Sequence, residues 1–331
     1  MRRSFFLIAA VLMVMAGLMS SCHYKDLCYD HDHGPTPTPD DNLLLVLDLK
    51  LELDLDLPVS DAAHTKIHVP TYMVVNFYDI ESGALKKTEY VGPYGGPLHV
   101  TPGTYDMVVY SFDTEYTQER GESNIKTLEA FTSDITASKQ PLFSLVAKDD
   151  TTSAPGPIIW TPDHLLVARK RVEIPPYSEV QRVITIEAGA QTIVETYAFE
   201  VPHIVGIEYT QSVDAFVTNQ ALSNYFGRDE VNASPATVYF PVDVNRKDSC
   251  FQTTFNTFGK LPGESRSYLN IIAVNSDGKP VIVISDITEQ FTDTTHIIVI
   301  PDTVVIPPPA SGGIAPTVEE WEEINHDVPI G

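Results

Sequence analysis

From residue 47 to residue 57, leucine occupies every second position. Leu47, Leu49, Leu51, Leu53, Leu55 and Leu57 alternate with Asp48, Lys50, Glu52, Asp54 and Asp56. Successive side chains of a strand point to opposite faces, so this run makes one apolar face and one charged face. On a helix the same leucines would scatter around the axis. Leucine has only modest strand propensity, so the periodicity sets the assignment and not the residue type.

Much of the remaining chain reads the same way. Strands are predicted over 69–78, 105–110, 180–187, 192–201, 204–209, 238–244, 267–274, 281–285 and 296–300. The first of these ends in the turn Glu81-Ser82-Gly83, and the second follows Pro102-Gly103. Short strands at regular spacing, separated by Gly and Pro, predict an all-β chain of sandwiches and not a parallel sheet wrapped in helices. Only 123–131 and 213–226 have helical character, and both are expected to be short helices. The basic run Arg169-Lys170-Arg171 precedes Ile174-Pro175-Pro176; we read it as a solvated loop at the domain boundary.

The chain begins Met1-Arg2-Arg3, continues as an apolar run from Phe5 to Met19, and reaches Ser20-Ser21-Cys22. A basic head, a short apolar stretch and a small-residue site describe a secretory signal peptide. The run falls short of the about 20 apolar residues that a spanning helix needs. Small residues ahead of a cysteine resemble a lipobox, where cleavage leaves a diacylated Cys22 as the new N-terminus. Each buried acyl carbon adds about 0.8 kcal/mol of membrane affinity. Beyond Cys22, proline at alternate positions in Pro35-Thr36-Pro37-Thr38-Pro39 favours an extended spacer. The expected organisation is a signal peptide over 1–21 and a lipidated tether over 22–41. An N-terminal sandwich over 42–174, a C-terminal sandwich over 175–306 and a tail over 307–331 follow.

A formal charge of −24 excludes a nucleic-acid partner, because a phosphate-binding surface needs clustered Lys and Arg. Two further cysteines, Cys28 and Cys250, would be able to bridge in an oxidising compartment, or remain as two thiols. Asp30-His31-Asp32-His33 is the one concentrated set of metal-ligand types. His31 and His33 are weak candidates, because ligands on a short flexible segment lack the second shell that orients them. No metal or other cofactor is therefore expected. The chain has no Gly-x-Ser-x-Gly elbow, His-Glu-x-x-His pair, phosphate loop or dinucleotide fingerprint, and we do not expect an enzyme. It has 15 Tyr and only two Trp; Trp160 reads as core and Trp321, in the acidic tail, as a contact residue.

Several segments resemble a known family. Leu98-His99-Val100-Thr101-Pro102-Gly103-Thr104-Tyr105-Asp106-Met107-Val108-Val109-Tyr110 is similar to a strand, Pro-Gly turn and aromatic strand in the first domain of fimbrial-type lipoproteins of Bacteroidales. Phe255-Asn256-Thr257-Phe258-Gly259, Leu269-Asn270-Ile271-Ile272-Ala273-Val274 and Asp277-Gly278-Lys279-Pro280 resemble their second domain, as do 286–290 and 296–300. Cys28-Tyr29-Asp30-His31-Asp32-His33-Gly34 is similar to the tether of one branch. The resemblance covers most of the mature chain and points to the fimbrillin-like superfamily, nearest to the FimB-type anchor or minor-subunit group.

It implies two tandem transthyretin-like, Greek-key β-sandwich domains. The implied function is a lipid-anchored outer-membrane protein, exposed at the cell surface, that anchors or joins a fimbria-like appendage. The implied partners are fimbrial subunits joined by β-strand addition. Acidic residues behind Cys22 resemble the surface-export signal of such lipoproteins. No subunit-maturation site is evident, which suits an anchor better than a stalk subunit. The tail from Ile306 reads either as a donated strand or as a packed or mobile end; the second reading is preferred, since Pro307-Pro308-Pro309 cannot donate ladder hydrogen bonds. The alternative is a surface lipoprotein that holds glycan or a host ligand.

Overall fold

A computed structural model describes residues 44–55, 57, 67–146, 156–176, 183–261, 266–291, 296–310 and 323–325. The described chain is nearly all β, as the sequence predicts, with one α-helix, Thr136–Phe143, among these residues.

The leucine alternation opens the fold. Leu45, Leu47 and Leu49 are buried against Met73, Val75, Phe77, Met107 and Val109, while Asp48, Lys50 and Glu52 face solvent. Their strand, Leu44–Leu51, pairs in parallel with Val183–Thr192 and antiparallel with Gly95–Leu98. The strand stops at Leu51; Leu53 and Leu55 continue as partly buried packing, with the Leu53 carbonyl accepting from the Ile67 amide at 2.8 Å. Hydrogen bonding then runs through Leu85–Val91, Met73–Asp79, Gly103–Ser111, Leu166–Ile174, Val183–Thr192, Leu44–Leu51 and Gly95–Leu98 in spatial order. The first and last strands of that order are consecutive in the chain, joined by the Gly92–Gly95 turn. The sheet therefore folds over on itself around one core. Closure requires glycine at 95, where φ is +100° and a Cβ would lie 2.0 Å from the Leu47 carbonyl oxygen.

A second core lies between a six-stranded and a four-stranded sheet. The six-stranded order is Glu323–Asn325, Pro280–Asp286, Tyr268–Asn275, Thr210–Ala221, Pro235–Pro241 and Ile158–Trp160. The four-stranded order is Asp243–Asn245, Cys250–Thr257, Glu195–Val201 and Ile297–Val299. Their facing residues, among them Tyr197, Phe199, Phe240, Phe251, Phe255, Val217 and Ile271, form one buried cluster. Phe240 and Phe255 stack across the two sheets at 4.3 Å between ring centroids.

Strand pairing crosses Pro175-Pro176 in both directions. Val183–Thr192 belongs to the first sandwich, whereas Ile158–Trp160 belongs to the second. A further small sheet orders Glu230–Val231, Ser223–Tyr225, Glu129–Thr132 and Thr117–Arg120, so it takes strands from both halves of the chain. Residues 43–331 accordingly form one compact unit.

Four expectations need correction. The strand expected over 204–209 stops at Val205, because Gly206 turns the chain at φ +78° into a 3-10 turn, Ile207–Tyr209. Residues 213–226 are not helical; they form most of Thr210–Ala221 and all of Ser223–Tyr225. The longer strand is buried on both faces, Val213, Ala215 and Val217 inward and Phe216 under the helix, so it lacks the alternation that marks a half-wet strand. Residues 123–131 are turns leading into Glu129–Thr132, tied by the Ile125 amide donating to the Gly83 carbonyl. The true helix carries Pro141 and no side-chain N-cap, which removed its sequence signals. Finally, Arg169-Lys170-Arg171 lies inside the strand Leu166–Ile174 and not in a loop. Arg171 pairs with Asp106 at 2.8 Å, and Lys170 donates to the Glu187 carbonyl at 2.6 Å. Long basic side chains reach polar partners from the exposed positions of a strand as readily as from a loop.

Candidate functional site

A β-rich chain with no metal-binding group of three or more His, Cys, Asp or Glu among its described residues offers two kinds of feature: strand edges and the junction of its sandwiches. An exposed edge carries unpaired amides and carbonyls and is a template for an added strand.

Most edges are blunted. Leu85–Val91 carries Lys86, Lys87 and Glu89, and its first residue already donates to the Ser123 carbonyl at 2.9 Å. Ile158–Trp160 is bridged by Asp134. On Ile297–Val299 the Val299 amide donates to the Gln290 side chain at 2.9 Å. The remaining long edge is Pro280–Asp286. Among the described residues, Ile282, Val283 and Ile284 are paired there, in parallel, with Glu323, Ile324 and Asn325 of the tail. The described part of the tail thus adds a three-residue strand to a seven-residue strand. Nothing in Glu323-Ile324-Asn325 marks it as a strand, since three residues carry no period.

The junction is polar and closely bonded. His164 lies between two threonines, with Nδ1 3.1 Å from Thr192 Oγ1 and Nε2 3.4 Å from Thr196 Oγ1. Burial pushes its pKa down to about 4, against a smaller upward pull from Asp163, so the imidazole is neutral. Thr196 donates on to Asn256 Oδ1 at 2.8 Å, and Asn256 Nδ2 donates to the Pro162 carbonyl at 2.8 Å. Arg169 adds a bond from Nη1 to the Phe226 carbonyl at 2.8 Å and an ion pair with Asp229.

Apolar packing continues this joint. Tyr78, Tyr110 and Val167 of the first sandwich share a cluster with Ala221, Phe226 and Phe258. The hairpin of Thr117–Arg120 and Glu129–Thr132 connects the two. Glu129 is held there by Arg120 at 2.6 Å and by the Ser223 hydroxyl. Burial raises its pKa, but these bonds outweigh it and leave the carboxyl below its ordinary value.

Glu119 on the same hairpin is different. Its Oε1 is sealed from solvent without a hydrogen-bond partner, and burial, with Glu122 adding, raises its pKa to about 7. The folded pKa is raised, so stabilisation is complete below the ordinary carboxyl pKa and is lost as pH rises through 7. We expect the gap in melting temperature between Glu119→Gln and the native chain to widen from pH 5 to pH 8 in the variant's favour. A constant gap across that range would refute the assignment.

Cys22, Cys28, His31, His33 and Trp321 lie outside the described residues. Cys250 is 3 % exposed on Cys250–Thr257, and burial raises its thiol pKa, with Glu200 and Asp248 adding. Trp160 is half-buried, stacked on Tyr116 at 5.2 Å and edge-on to Tyr239 at 4.9 Å. The junction bonds escape sequence reading because their members lie up to 94 residues apart.

Residues 49–241 match a family described as a domain of unknown function, DUF5119. Over 238 residues the chain is 24% identical to a protein of Bacteroides ovatus named as a fimbrium anchoring subunit, Fim4B. That match covers 70% of this chain and 67% of Fim4B. A crystal structure of a protein described as an adhesin, also from Bacteroides ovatus, superposes with a TM-score of 0.55 at 21% identity. It covers 81% of this chain and 94% of that one, and establishes the shared fold. The fimbrial anchor protein Mfa2 from Porphyromonas gingivalis gives a TM-score of 0.42 at 13% identity, over 74% of this chain and 83% of its own.

Proposed function

The chain belongs to the DUF5119 family, and from that premise we propose that it is a lipid-anchored anchor or minor subunit of a fimbria-like surface appendage. The observation that carries this reading is the 24% identity, over 70% of the chain, to a protein named as a fimbrium anchoring subunit. In this reading a diacylated Cys22 fixes the chain to the outer membrane, and the proline spacer holds the sandwiches away from it. The whole described body then acts as a base. Its junction bonds transmit load from one sandwich to the other, because the two share strands and a buried cluster.

The partner is a second appendage subunit that adds a strand. Pro280–Asp286 is the edge best suited to receive it, since it is a seven-residue strand that already accepts a parallel strand, Glu323–Asn325, from the tail. Strand addition supplies main-chain hydrogen bonds for affinity and alternate side-chain pockets for register. The relatives named above are an anchoring subunit and an adhesin, and neither name denotes an enzyme. A bridge between Cys28 and Cys250 would tie the tether to the second sandwich.

Gentle shearing of appendages from cells, followed by immunodetection, tests the reading. The native chain should co-fractionate with surface polymer, and Cys22→Ala should shift it from the membrane to the medium. Absence of the native chain from every polymer and partner complex would overturn the appendage role. Membrane retention of a fully processed Cys22→Ala protein would overturn the lipid tether alone.

A further inference from the structure

Pro307-Pro308-Pro309 follows the short strand Val304–Val305 and is exposed along its length, outside every strand. Ring closure fixes each proline near a φ of about −65°, and a residue ahead of proline is confined to extended conformations. The triplet is therefore a polyproline II segment, stiff without internal hydrogen bonds. Both ends are held. The Ile306 amide donates to the Val205 carbonyl at 2.8 Å, and Asn275 Nδ2 donates to the Pro307 carbonyl at 3.2 Å. At the far end the Ala310 amide donates to Asp277 Oδ2 at 2.5 Å. A ridge held in this way has little conformational entropy left to lose on binding.

The first sandwich carries a surface of the complementary kind. Val74 is flanked in register by Tyr90 and Tyr110, so alternation places Tyr72 and Phe112 on that same face. Leu128 and Phe226 pack over Val74, Tyr78 and Tyr110. Beyond that cover the rings meet solvent: Tyr90 is 66% exposed and Phe112 44% exposed. Tyr72, half-buried, touches both. Its ring lies 6.3 Å from Tyr90, inclined at 65°, and 5.9 Å from Phe112, inclined at 36°. Inclined rings leave clefts between them where parallel rings would close up.

Aromatic clefts are receptors for polyproline II, because rings pack on the pyrrolidines. A tyrosine hydroxyl can also donate to a carbonyl that the segment leaves unpaired. Three prolines advance about 6 Å from first to last, close to the spacing of neighbouring rings here. The three prolines and the three rings are all uncharged, in a chain of formal charge −24. Uncharged patches are where two such acidic bodies meet with least repulsion. Ridge and rings are both exposed in the same described body, so within one copy they do not cover each other.

We propose that Pro307-Pro308-Pro309 of one copy docks on Tyr72, Tyr90 and Phe112 of a second copy of this chain. The contact is heterologous, ridge to rings, so a pair keeps one free ridge and one free ring face for further copies. Three prolines on three rings fall well below the about 800 Å² per partner of a stable interface. The contact is therefore weak in solution and acts among copies crowded on one membrane, where the lipid tether proposed above supplies the concentration. It does not use the Pro280–Asp286 edge.

The test uses the secreted Cys22→Ala chain, which lacks the lipid and keeps every described residue. Its sedimentation-average mass should rise across the micromolar to millimolar range, and rise further as added salt screens the repulsion. Pro307→Ser, Pro308→Ser and Pro309→Ser combined, or Tyr90→Ser with Phe112→Ser, should each weaken self-association at least fivefold. Mixing the two variants should restore dimers and nothing larger, because the ridge of one still meets the rings of the other. A benzophenone side chain at position 90 should crosslink to 307–310 of the other copy. If thermal melting shows the ring variant unfolded, the proline variant and the crosslink decide the question. Absence of self-association, association unchanged in a folded variant, no dimers from a mixture of folded variants, or crosslinks to 35–39 or elsewhere would each overturn the proposal. Co-fractionation of the lipidated native chain with surface polymer is read separately, so failure here is distinguishable from failure of the appendage role.

Discussion

Leu47→Asp is expected to abolish cooperative folding of the first sandwich. Leu47 is 1% exposed and sits in the middle of the buried leucine row, opposite Gly96 on one neighbouring strand and Ile186 on the other. A carboxylate there has no partner, so it must either ionise in an apolar core or carry a strongly raised pKa. Either outcome costs several kcal/mol on top of the lost leucine packing, against a total stability of about 5–15 kcal/mol for an ordinary domain. Near-UV circular dichroism and limited proteolysis report the result. Asp48→Asn, one residue along on the exposed face, is the control and should change stability by less than about 0.5 kcal/mol. If Leu47→Asp melts like the native chain, the leucine row is not the core of the first sandwich.

The second large effect is expected from Tyr197→Ala. Tyr197 is fully buried between the sheets of the second sandwich, stacked on Phe291 at 4.0 Å and on Phe255 at 5.8 Å. Its hydroxyl donates to Glu195 Oε2 at 2.8 Å. Truncating a ring in such a site costs about 3–5 kcal/mol, because the sheets cannot close the cavity left behind. For a unit of this size that corresponds to a fall of roughly 10 °C in melting temperature. Tyr197→Phe keeps the stack and loses one hydrogen bond, so about 1 kcal/mol is expected. Equal losses in the two variants would assign the stabilisation to the hydroxyl and not to the stack.

The strand segments were readable where one face is wet. Gly103–Ser111 and Pro280–Asp286 lie where alternation or turn residues place them, and Leu44–Leu51 takes up the first half of the leucine alternation. Reading failed at Thr210–Ala221, because a strand covered by core on one side and a helix on the other has no polar face to reveal its period. It failed again at Arg169-Lys170-Arg171, where three adjacent cations suggested a solvated loop; Lys170 and Arg171 are exposed, but within a strand. Their carboxylate and carbonyl partners, Asp106, Glu187 and Asp229, lie 17 to 65 residues away. The candidate site was less legible than the fold. Trp160 was read as core, and its stack with Tyr116 depends on a loop pinned by Asp163, 47 residues further on.

The sequence by itself determined the β class, the face each leucine of the first strand presents, and the expectation of a lipidated Cys22. These follow from local period and local motif, which need no knowledge of distant partners. Tertiary structure alone decided that strands cross Pro175-Pro176 in both directions, that Glu323, Ile324 and Asn325 of the tail pair with the Pro280–Asp286 edge, and that Tyr116 stacks on Trp160. Each of these depends on residues far apart in the chain, and a single sequence does not encode long-range pairing as a visible pattern.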